Sequence, residues 1–184
     1  MQKIILGLAG EMVSGKGTAA KYLVKKYNGN AHRFSTMLRD LARRMHLEES
    51  RDNLQKISQI FRQSFGEDVL ARVIYHDVEN DRHQIIVVDG VRRSFDIKYL
   101  KTFPNFKLIY IETSLEKRFI RTRARYENSD DEVKTFAEFK KDQKKEAELQ
   151  IRGLKKKADF IIDNNGDFKE LYAQIDKIIA RIKR

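Results

Sequence analysis

The chain has 184 residues, of which 41% are hydrophobic, so it is long and apolar enough to bury the core of about one domain. Charged residues make up 35% and give a formal net charge of +11, which favours a polyanionic partner, either a nucleic acid or a small phosphate compound. The absence of Cys excludes a disulfide scaffold, a Cys-rich zinc site and a cysteine nucleophile, and no apolar run approaches the ~20 residues that span a bilayer.

Short apolar runs alternate with amphipathic segments along the chain. The runs are typical of buried strands, whereas the segments between them repeat apolar residues at helical spacing. The predicted strands cover residues 3–9, 31–34, 84–88, 106–111 and 158–162, and helices are predicted after the first strand, over 36–45, 53–65 and 67–80, and after the last strand. This alternation predicts one α/β domain over residues 1–184, with a five-stranded parallel sheet covered by helices on both faces.

The sequence also predicts where several helices begin and which of their faces are buried. Capping boxes are predicted where Thr113, Thr135 and Asp167 each precede a Glu by three residues. We expect one helix to bury the apolar face Leu54, Ile57, Ile60, Phe61 and Phe65, and the last helix to bury Phe168, Leu171, Tyr172, Ile175, Ile178, Ile179 and Ile182.

A glycine-rich motif follows the first strand and reads Gly10-Glu11-Met12-Val13-Ser14-Gly15-Lys16-Gly17-Thr18. Because a strand precedes it and a helix follows it, its amides are expected to cradle phosphates, with Lys16 reaching the β- and γ-phosphates. The nucleotide is thus expected to be bound by Gly10, Val13, Ser14, Gly15, Lys16, Gly17 and Thr18. Since Gly17 replaces the usual hydroxyl residue, Mg²⁺ is expected at Thr18, directly or through water, and at a distant carboxylate.

That carboxylate is predicted to be Asp89, at the end of the clearest strand, in Asp89-Gly90-Val91-Arg92-Arg93. Ligands of parallel sheets bind at the carboxyl ends of strands, where Asp89 can orient Mg²⁺-bound water or accept a proton. Arg92 and Arg93 can bind a phosphate through paired hydrogen bonds. The alternative is that Asp89 caps the next turn and the arginines lie on the surface. Arg39 follows the second strand and would face the loop from across the mouth of the sheet.

A further arginine cluster comprises Arg118, Arg121 and Arg125, which share a helical face by their spacing of three and four. A phosphoryl group in transfer spreads negative charge over its oxygens, and arginines that close over it stabilise that charge. The alternative is a solvated basic face with Glu116 and Glu127 as partners. The histidines, which lack metal-ligand spacing, are expected to be structural or superficial: His32, His46, His76 and His83.

Together these motifs resemble the P-loop nucleoside monophosphate kinase superfamily, and within it adenylate-kinase-like and dephospho-CoA-kinase-like proteins, including archaeal-type nucleotide kinases. Residues 15–18 resemble the adenylate-kinase ending of the loop, and residues 35–39 the acceptor-side segment. Residues 89–93 resemble the Asp-Gly-x-x-Arg element, residues 118–125 fall where the family places lid arginines, and residues 158–166 resemble the adenine-side loop. The resemblance spans residues 2–182.

The resemblance implies a three-layer P-loop fold with an acceptor-binding helical region near 35–80 and a lid near 121–145. It implies transfer of the γ-phosphoryl of ATP, with Mg²⁺, to a nucleoside monophosphate or similar small phosphate acceptor. The implied catalytic residues are Lys16, Asp89, Arg92, Arg121 and Arg125; the acceptor would be held by Thr36, Arg39, Arg92 and Arg93, and the adenine by Asn165. The Pro of the adenylate-kinase element and the Asp-Ala-Asp segment of dephospho-CoA kinases are absent, so the acceptor stays open.

Other functions remain as alternatives. One is dephospho-CoA-kinase-like activity. Another is a nucleic-acid-associated ATPase or kinase that uses the Lys-rich stretch 140–157, which is possible but not favoured. A regulatory GTPase would need an Asn-Lys-x-Asp guanine reader, where residues 163–166 read Asp-Asn-Asn-Gly instead. With no signal peptide read in the first nine residues, we expect a cytoplasmic monomer or homodimer without membrane partners.

Overall fold

A single parallel sheet organises the computed structural model, which describes residues 3–123, 135–143 and 146–183. Its strand order is β2-β3-β1-β4-β5. The strands are β1 (Ile4–Ala9), β2 (Asn30–Arg33), β3 (Ile85–Val91), β4 (Phe106–Glu112) and β5 (Phe160–Asp163). The predicted five-stranded parallel α/β fold is confirmed.

Eight α-helices lie in the described residues: α1 (Lys16–Tyr27), α2 (Phe34–Arg44), α3 (Arg51–Phe65), α4 (Val69–Asn80), α5 (Leu115–Arg123), α6 (Phe136–Asp142), α7 (Glu146–Leu154) and α8 (Phe168–Ile182). Short 3-10 helices occupy Ser94–Ile97, Leu100–Thr102 and Lys155–Lys157. The region 35–80, predicted to bind the acceptor, therefore consists of α2, α3 and α4. No helix in these ranges is both long and apolar enough to cross a membrane.

Side chains of the central strand alternate between two cores. Ile5 and Ala9 belong to the core that α2, α3 and α4 cover, whereas Leu6 and Leu8 belong to the core that α1 and α8 cover. Successive residues of a strand point to opposite faces, so a strand covered on both faces reads as one continuous apolar run. This explains why the strands were readable from the sequence, and it makes the fold three-layered.

Three residues expected to be buried are exposed. Ile60, Phe65 and Phe168 are among the exposed large hydrophobic residues, and Phe168 is 67% exposed. Phe65 and Phe168 stand in terminal turns, where each packs on a ring of its own helix, Phe61 and Tyr172 respectively. Ile60 lies at the edge of its helix's apolar stripe. The periodic pattern therefore extends beyond the part of each helix that is buried.

Two of the three predicted capping boxes are confirmed. Thr135 and Asp167 each accept a backbone hydrogen bond from the Glu three residues later, and that Glu bonds back. The box predicted at Thr113 is wrong, because Ser114 Oγ accepts the bond from Lys117 N at 3.3 Å instead. Thr113 is buried and points into the protein interior, where it contacts the glycine-rich loop.

Strand β3 continues past its predicted end. Asp89 lies opposite Leu8, and Val91 lies opposite Ala9, so Gly90 is an extra residue in a bulge. The bulge keeps Asp89 within the sheet, at the carboxyl edge beside the glycine-rich loop, where it is 6% exposed.

Candidate functional site

The loop between β1 and α1 has a tight backbone that requires glycine. Gly10 and Gly15 have φ values of 148° and 103°, and Val13 is left-handed with φ of 60°. A Cβ on Gly15 would collide with Asn164, and a Cβ on Gly10 would collide with the carbonyl oxygen of Ile111. The predicted motif thus forms a closely wrapped turn at the carboxyl edge of the sheet.

The positive charges of this loop come from α1 and Lys16. Among the described residues no side chain caps the first turn of α1, and that turn holds no acidic residue, so its positive end suits an anion. Lys16 Nζ donates to the carbonyl oxygens of Gly10 and Glu11 at 2.7 and 2.9 Å, which places the ammonium against the loop. Thr18 is half-buried in the same turn. The arrangement is chemically suited to a polyphosphate.

Buried hydrogen bonds hold the loop from behind. The Ser14 carbonyl oxygen accepts hydrogen bonds from Thr113 Oγ1 at 3.0 Å and from Asn164 Nδ2 at 2.8 Å. Asn164 N in turn donates to the Glu112 carbonyl oxygen at 2.8 Å. The ends of β4 and β5 therefore fix the loop. Sequence reasoning missed Asn164, although it directly follows β5 at the functional edge of the sheet.

The residue predicted to line the adenine, Asn165, is half-buried in the bend after β5, next to the start of α5. Its Oδ1 accepts a hydrogen bond from Ser114 N at 2.9 Å, and its carbonyl oxygen accepts one from Lys117 Nζ. Arg121 Nη2 donates to the Asn164 carbonyl oxygen at 3.1 Å, and its Nη1 is buried with no hydrogen-bond partner among the described residues. The other predicted lid arginine, Arg125, lies outside the described residues.

Arg118 occupies a buried position, at 3% exposure, instead of a solvated basic face. Its Nε donates to the Thr113 carbonyl oxygen at 3.2 Å and its Nη1 to Gln143 Oε1 at 2.7 Å. Its Nη2 lies 3.2 Å from the Glu11 carboxylate, which also accepts a hydrogen bond from Arg152 Nε at 2.8 Å. Sequence reasoning missed both Glu11 and Arg152.

These groups surround a cavity of about 400 Å³ beside the loop, lined by Glu11, Thr113, Leu115, Arg118, Lys140, Gln143 and Arg152. Tyr110 lies nearby in β4. Burial, together with the negative charges of Glu11 and Glu112, raises the pKa of its phenol to about 12, so the hydroxyl keeps its proton at neutral pH. Three cationic side chains of the cavity wall, those of Arg118, Lys140 and Arg152, thus lie beside the glycine-rich loop.

The predicted metal carboxylate, Asp89, faces an arginine that the sequence did not single out. Its Oδ2 lies 3.4 Å from Arg33 Nε, because Arg33 ends β2 directly opposite Asp89. The described ranges contain no group of three or more His, Cys, Asp or Glu able to hold a metal. One carboxylate and one hydroxyl, Asp89 and Thr18, nevertheless fit Mg²⁺ bound to a nucleotide, since that ion takes few protein ligands beside phosphate and water.

On the side predicted to bind the acceptor, Arg39 and Arg43 of α2 share the carboxylate of Glu49. The distances are 3.1 Å from Arg39 Nη1 and 3.0 Å from Arg43 Nε. Thr36 of the same helix is exposed. Arg39 is thus held in position by a partner that is itself accessible to solvent.

The buried carboxylate of Asp96 holds the backbone of Arg92 and Arg93, which follow β3. Its Oδ2 accepts hydrogen bonds from Arg92 N and Arg93 N at 2.8 and 2.9 Å, although burial raises the pKa of this carboxyl. Burial and the charge of Arg93 lower the pKa of Arg62, whose Nη2 lies 3.9 Å from Asp96. Arg93 pairs with Glu67 at 3.0 Å. The result is an arginine-rich patch next to α3.

Comparisons with known proteins agree with this architecture. A family model described as an AAA domain (AAA_17) matches residues 7–140. A UPF0200 protein of Pyrococcus furiosus is 30% identical over 184 residues and covers 97% of each chain, and one of Thermococcus kodakarensis is 27% identical. A UPF0200/UPF0201 protein of Archaeoglobus fulgidus is 27% identical, and this chain spans 56% of its length.

Solved structures of similar fold include kinases. The shikimate kinase of Bacteroides thetaiotaomicron has a TM-score of 0.62 at 15% identity, with 98% of this chain and 99% of that chain covered. A gluconokinase of Sinorhizobium meliloti has a TM-score of 0.60 at 12% identity, with 98% and 93% covered. At these identities the likeness establishes a P-loop kinase-like fold.

Proposed function

The chain belongs to the AAA_17 and UPF0200 families, and from this premise we propose that it is an ATP-dependent kinase that transfers the γ-phosphoryl group to a nucleoside monophosphate or a similar nucleotide-like acceptor. The observation that carries the proposal is the loop itself. It combines two glycine-dependent turns, the uncapped start of α1 and the Lys16 ammonium in one closely wrapped segment. Polyphosphate is the ligand that such a combination suits.

On the donor side, the loop amides and Lys16 bind the phosphates, and Asn165 borders the base. Thr18 and Asp89 would hold Mg²⁺, which neutralises phosphate charge when it is bound. Lys16 moves from the carbonyl oxygens of the loop to the phosphates, because a charged phosphate is a better partner than two neutral carbonyl groups.

On the acceptor side, Arg39, Arg92 and Arg93 orient the acceptor's phosphate, and Thr36 lies on the same helix as Arg39. The substrate replaces Glu49 and Glu67, the carboxylate partners of Arg39 and Arg93. Arg121, whose buried Nη1 has no hydrogen-bond partner within the described residues, and Arg125 stabilise the transferring group. Positioning and charge neutralisation supply the catalysis, since phosphoryl transfer asks little covalent chemistry of the protein.

The described part of the Lys-rich stretch 140–157 gives less support to a kinase that acts on nucleic acid than to a small-molecule kinase. Lys155 is paired with Glu112 at 2.7 Å, and Lys157 donates to Ser94 Oγ at 2.7 Å. These side chains attach the stretch to the body of the protein. Lys140, Lys141 and Lys156 are exposed, as is common for lysines on any soluble surface.

The test combines calorimetry and a coupled assay of ADP release over a panel of nucleoside monophosphates and other phosphorylated acceptors. We expect Mg²⁺-ATP to bind wild type, at least one acceptor to stimulate ADP release, and Lys16→Ala to abolish this turnover. Lys21→Ala, on an exposed position of the same helix, is the matched control and retains it. Absence of ATP and GTP binding at millimolar concentration contradicts the proposal, as does turnover that survives Lys16→Ala.

A further inference from the structure

One residue of the glycine-rich loop has the wrong charge for a phosphate site. Glu11 directly follows Gly10, and its carboxylate lies on the side of the loop that faces the 400 Å³ cavity. A carboxylate at this place repels a polyphosphate, and the repulsion is strong where water is partly excluded. The structure shows what the carboxylate does instead, since two guanidinium groups converge on it.

The two arginines are held very differently. Arg118 is 3% exposed and is fixed by the Thr113 carbonyl oxygen and Gln143 in addition to Glu11. The side chain of Arg152 is 45% exposed and meets Glu11 through Nε at 2.8 Å. Arg118 is therefore a permanent part of the cavity wall, whereas Arg152 can exchange its partner at little cost.

The backbone that carries Arg152 is anchored. Its neighbours in α7, Ile151 and Leu154, are fully buried in the core beneath α2, α3 and α4. An exchange of partner therefore requires only rotation of the Arg152 side chain, with α7 in place.

We propose that Glu11 is an internal competitor for the nucleotide: it holds Arg152 at the loop while the site is empty and yields it to the terminal phosphate of a bound nucleoside triphosphate. A phosphate wins this exchange because it carries more charge than a carboxylate and accepts paired hydrogen bonds from a guanidinium. A diphosphate lacks the terminal phosphate that draws Arg152 away, so on this proposal the ion pair persists. Glu11 and Arg152 together thus determine how strongly the site depends on the third phosphate. The inference rests on the proposed function.

The decisive variant is Glu11→Gln, which keeps the shape and removes the charge. Because ATP then has neither to separate an ion pair nor to approach a carboxylate, its dissociation constant is expected to fall about tenfold, the equivalent of 1.4 kcal/mol. The dissociation constant of ADP falls by less. Arg152→Gln has the opposite effect, and weakens ATP severalfold more than ADP. Both are measured by titration calorimetry with Mg²⁺.

Glu112→Gln is the matched control, since Glu112 pairs with Lys155 at 2.7 Å and joins the same end of α7 to the sheet. It is expected to leave both dissociation constants unchanged. If Glu11→Gln binds ATP equally or more weakly and Arg152→Gln does not alter the ratio of ATP to ADP affinity, the pair is a fixed scaffold and the inference is overturned. Should Glu11→Gln not fold, Arg152→Gln decides alone, because that side chain is largely exposed.

These outcomes are separable from failure of the proposed function. Wild type that binds ATP and loses it on Lys16→Ala, but shows no change with the Glu11 and Arg152 variants, overturns only this inference. Wild type that binds no nucleotide overturns both.

Discussion

The proposed donor side and the proposed acceptor side of the site are held by different kinds of contact. On the donor side, the Ser14 carbonyl oxygen is bonded by Thr113 and Asn164 inside the protein. On the acceptor side, Arg39 is held by a carboxylate, Glu49, that remains accessible to solvent. Buried hydrogen bonds fix a geometry because an unmade one is costly, whereas accessible ion pairs contribute only about 0–1 kcal/mol and exchange readily. The donor side is thus preformed, and the acceptor side is adjustable.

The largest expected effect concerns the preformed side. Asn164→Ala removes the buried donor to the Ser14 carbonyl oxygen, and we expect it to lower the free energy of unfolding by about 1–3 kcal/mol and to weaken ATP binding about tenfold. Asn165→Ala, at the adjacent half-buried position, is expected to cost less than half as much stability. Urea denaturation and calorimetry measure both. Equal losses of stability in the two variants would show that burial of Asn164 does not distinguish the donor side.

A smaller effect is expected for Arg39→Ala on the adjustable side. With the acceptor identified by the ADP-release screen, its KM should rise about tenfold while ATP affinity stays unchanged, because one charge-assisted hydrogen bond to the acceptor is lost. Arg43→Ala is the matched control, since Arg43 contacts the same Glu49 carboxylate from a more exposed position and should change KM less than twofold. A change in ATP affinity with Arg39→Ala would mean that the two sides are not independent.

The smallest effect is expected on stability, at Asp81. This carboxylate bonds Asn30 and His32 of β2, the strand that leads into the proposed acceptor side. Burial alone raises the pKa of Asp81, but hydrogen bonds from the N–H and ring of His83, from His32 and from Asn30 outweigh it and hold the pKa well below its usual value of 3.8. The unfolded chain therefore binds this proton more tightly. The carboxylate stabilises the fold above about pH 4, and its contribution is lost as the pH falls further.

We expect Asp81→Asn to be about 1–2 kcal/mol less stable than wild type at pH 5, with a difference that shrinks toward pH 2. The series stays below the range in which imidazoles ordinarily titrate, because His32 and His83 face this carboxylate. Asp40→Asn, which removes an exposed pair with Arg43, should change stability little at any pH. A difference between Asp81→Asn and wild type that does not change with pH would contradict the assigned role.

The sequence predicts well those features whose residues are adjacent along the chain. The loop from Gly10 to Thr18 carries its geometry in its own glycines and in the elements beside it, and the strands carry theirs in apolar runs. What the sequence does not predict is contact across long separations. Asn164 and Ser14 are 150 residues apart, and Arg152 and Glu11 are 141 apart. Only the tertiary fold brings these pairs together, through the order of strands in the sheet for Asn164 and through the packing of α7 for Arg152.

Apolar periodicity identified the helices but predicted more buried residues than the structure contains. It predicted that Phe65 and Phe168 are core residues because both continue the apolar stripe of their helices, yet both side chains are exposed at the helix ends. Thr113 was predicted to cap a helix because its sequence context fits a capping box. In the structure its hydroxyl instead donates to the buried carbonyl oxygen of Ser14. In each case a tertiary neighbour that the local pattern does not encode decides the outcome.

The glycine at position 17 faces open space: nothing among the described residues lies within 4 Å of a Cβ built there. Steric crowding therefore does not explain why glycine replaces the usual hydroxyl residue of the motif at this position. Glycine inside a helix is also disfavoured by up to about 1 kcal/mol relative to alanine. A serine at this position would place a second hydroxyl beside Thr18 without a steric clash, so a single substitution would change the ligands available to the proposed Mg²⁺ ion.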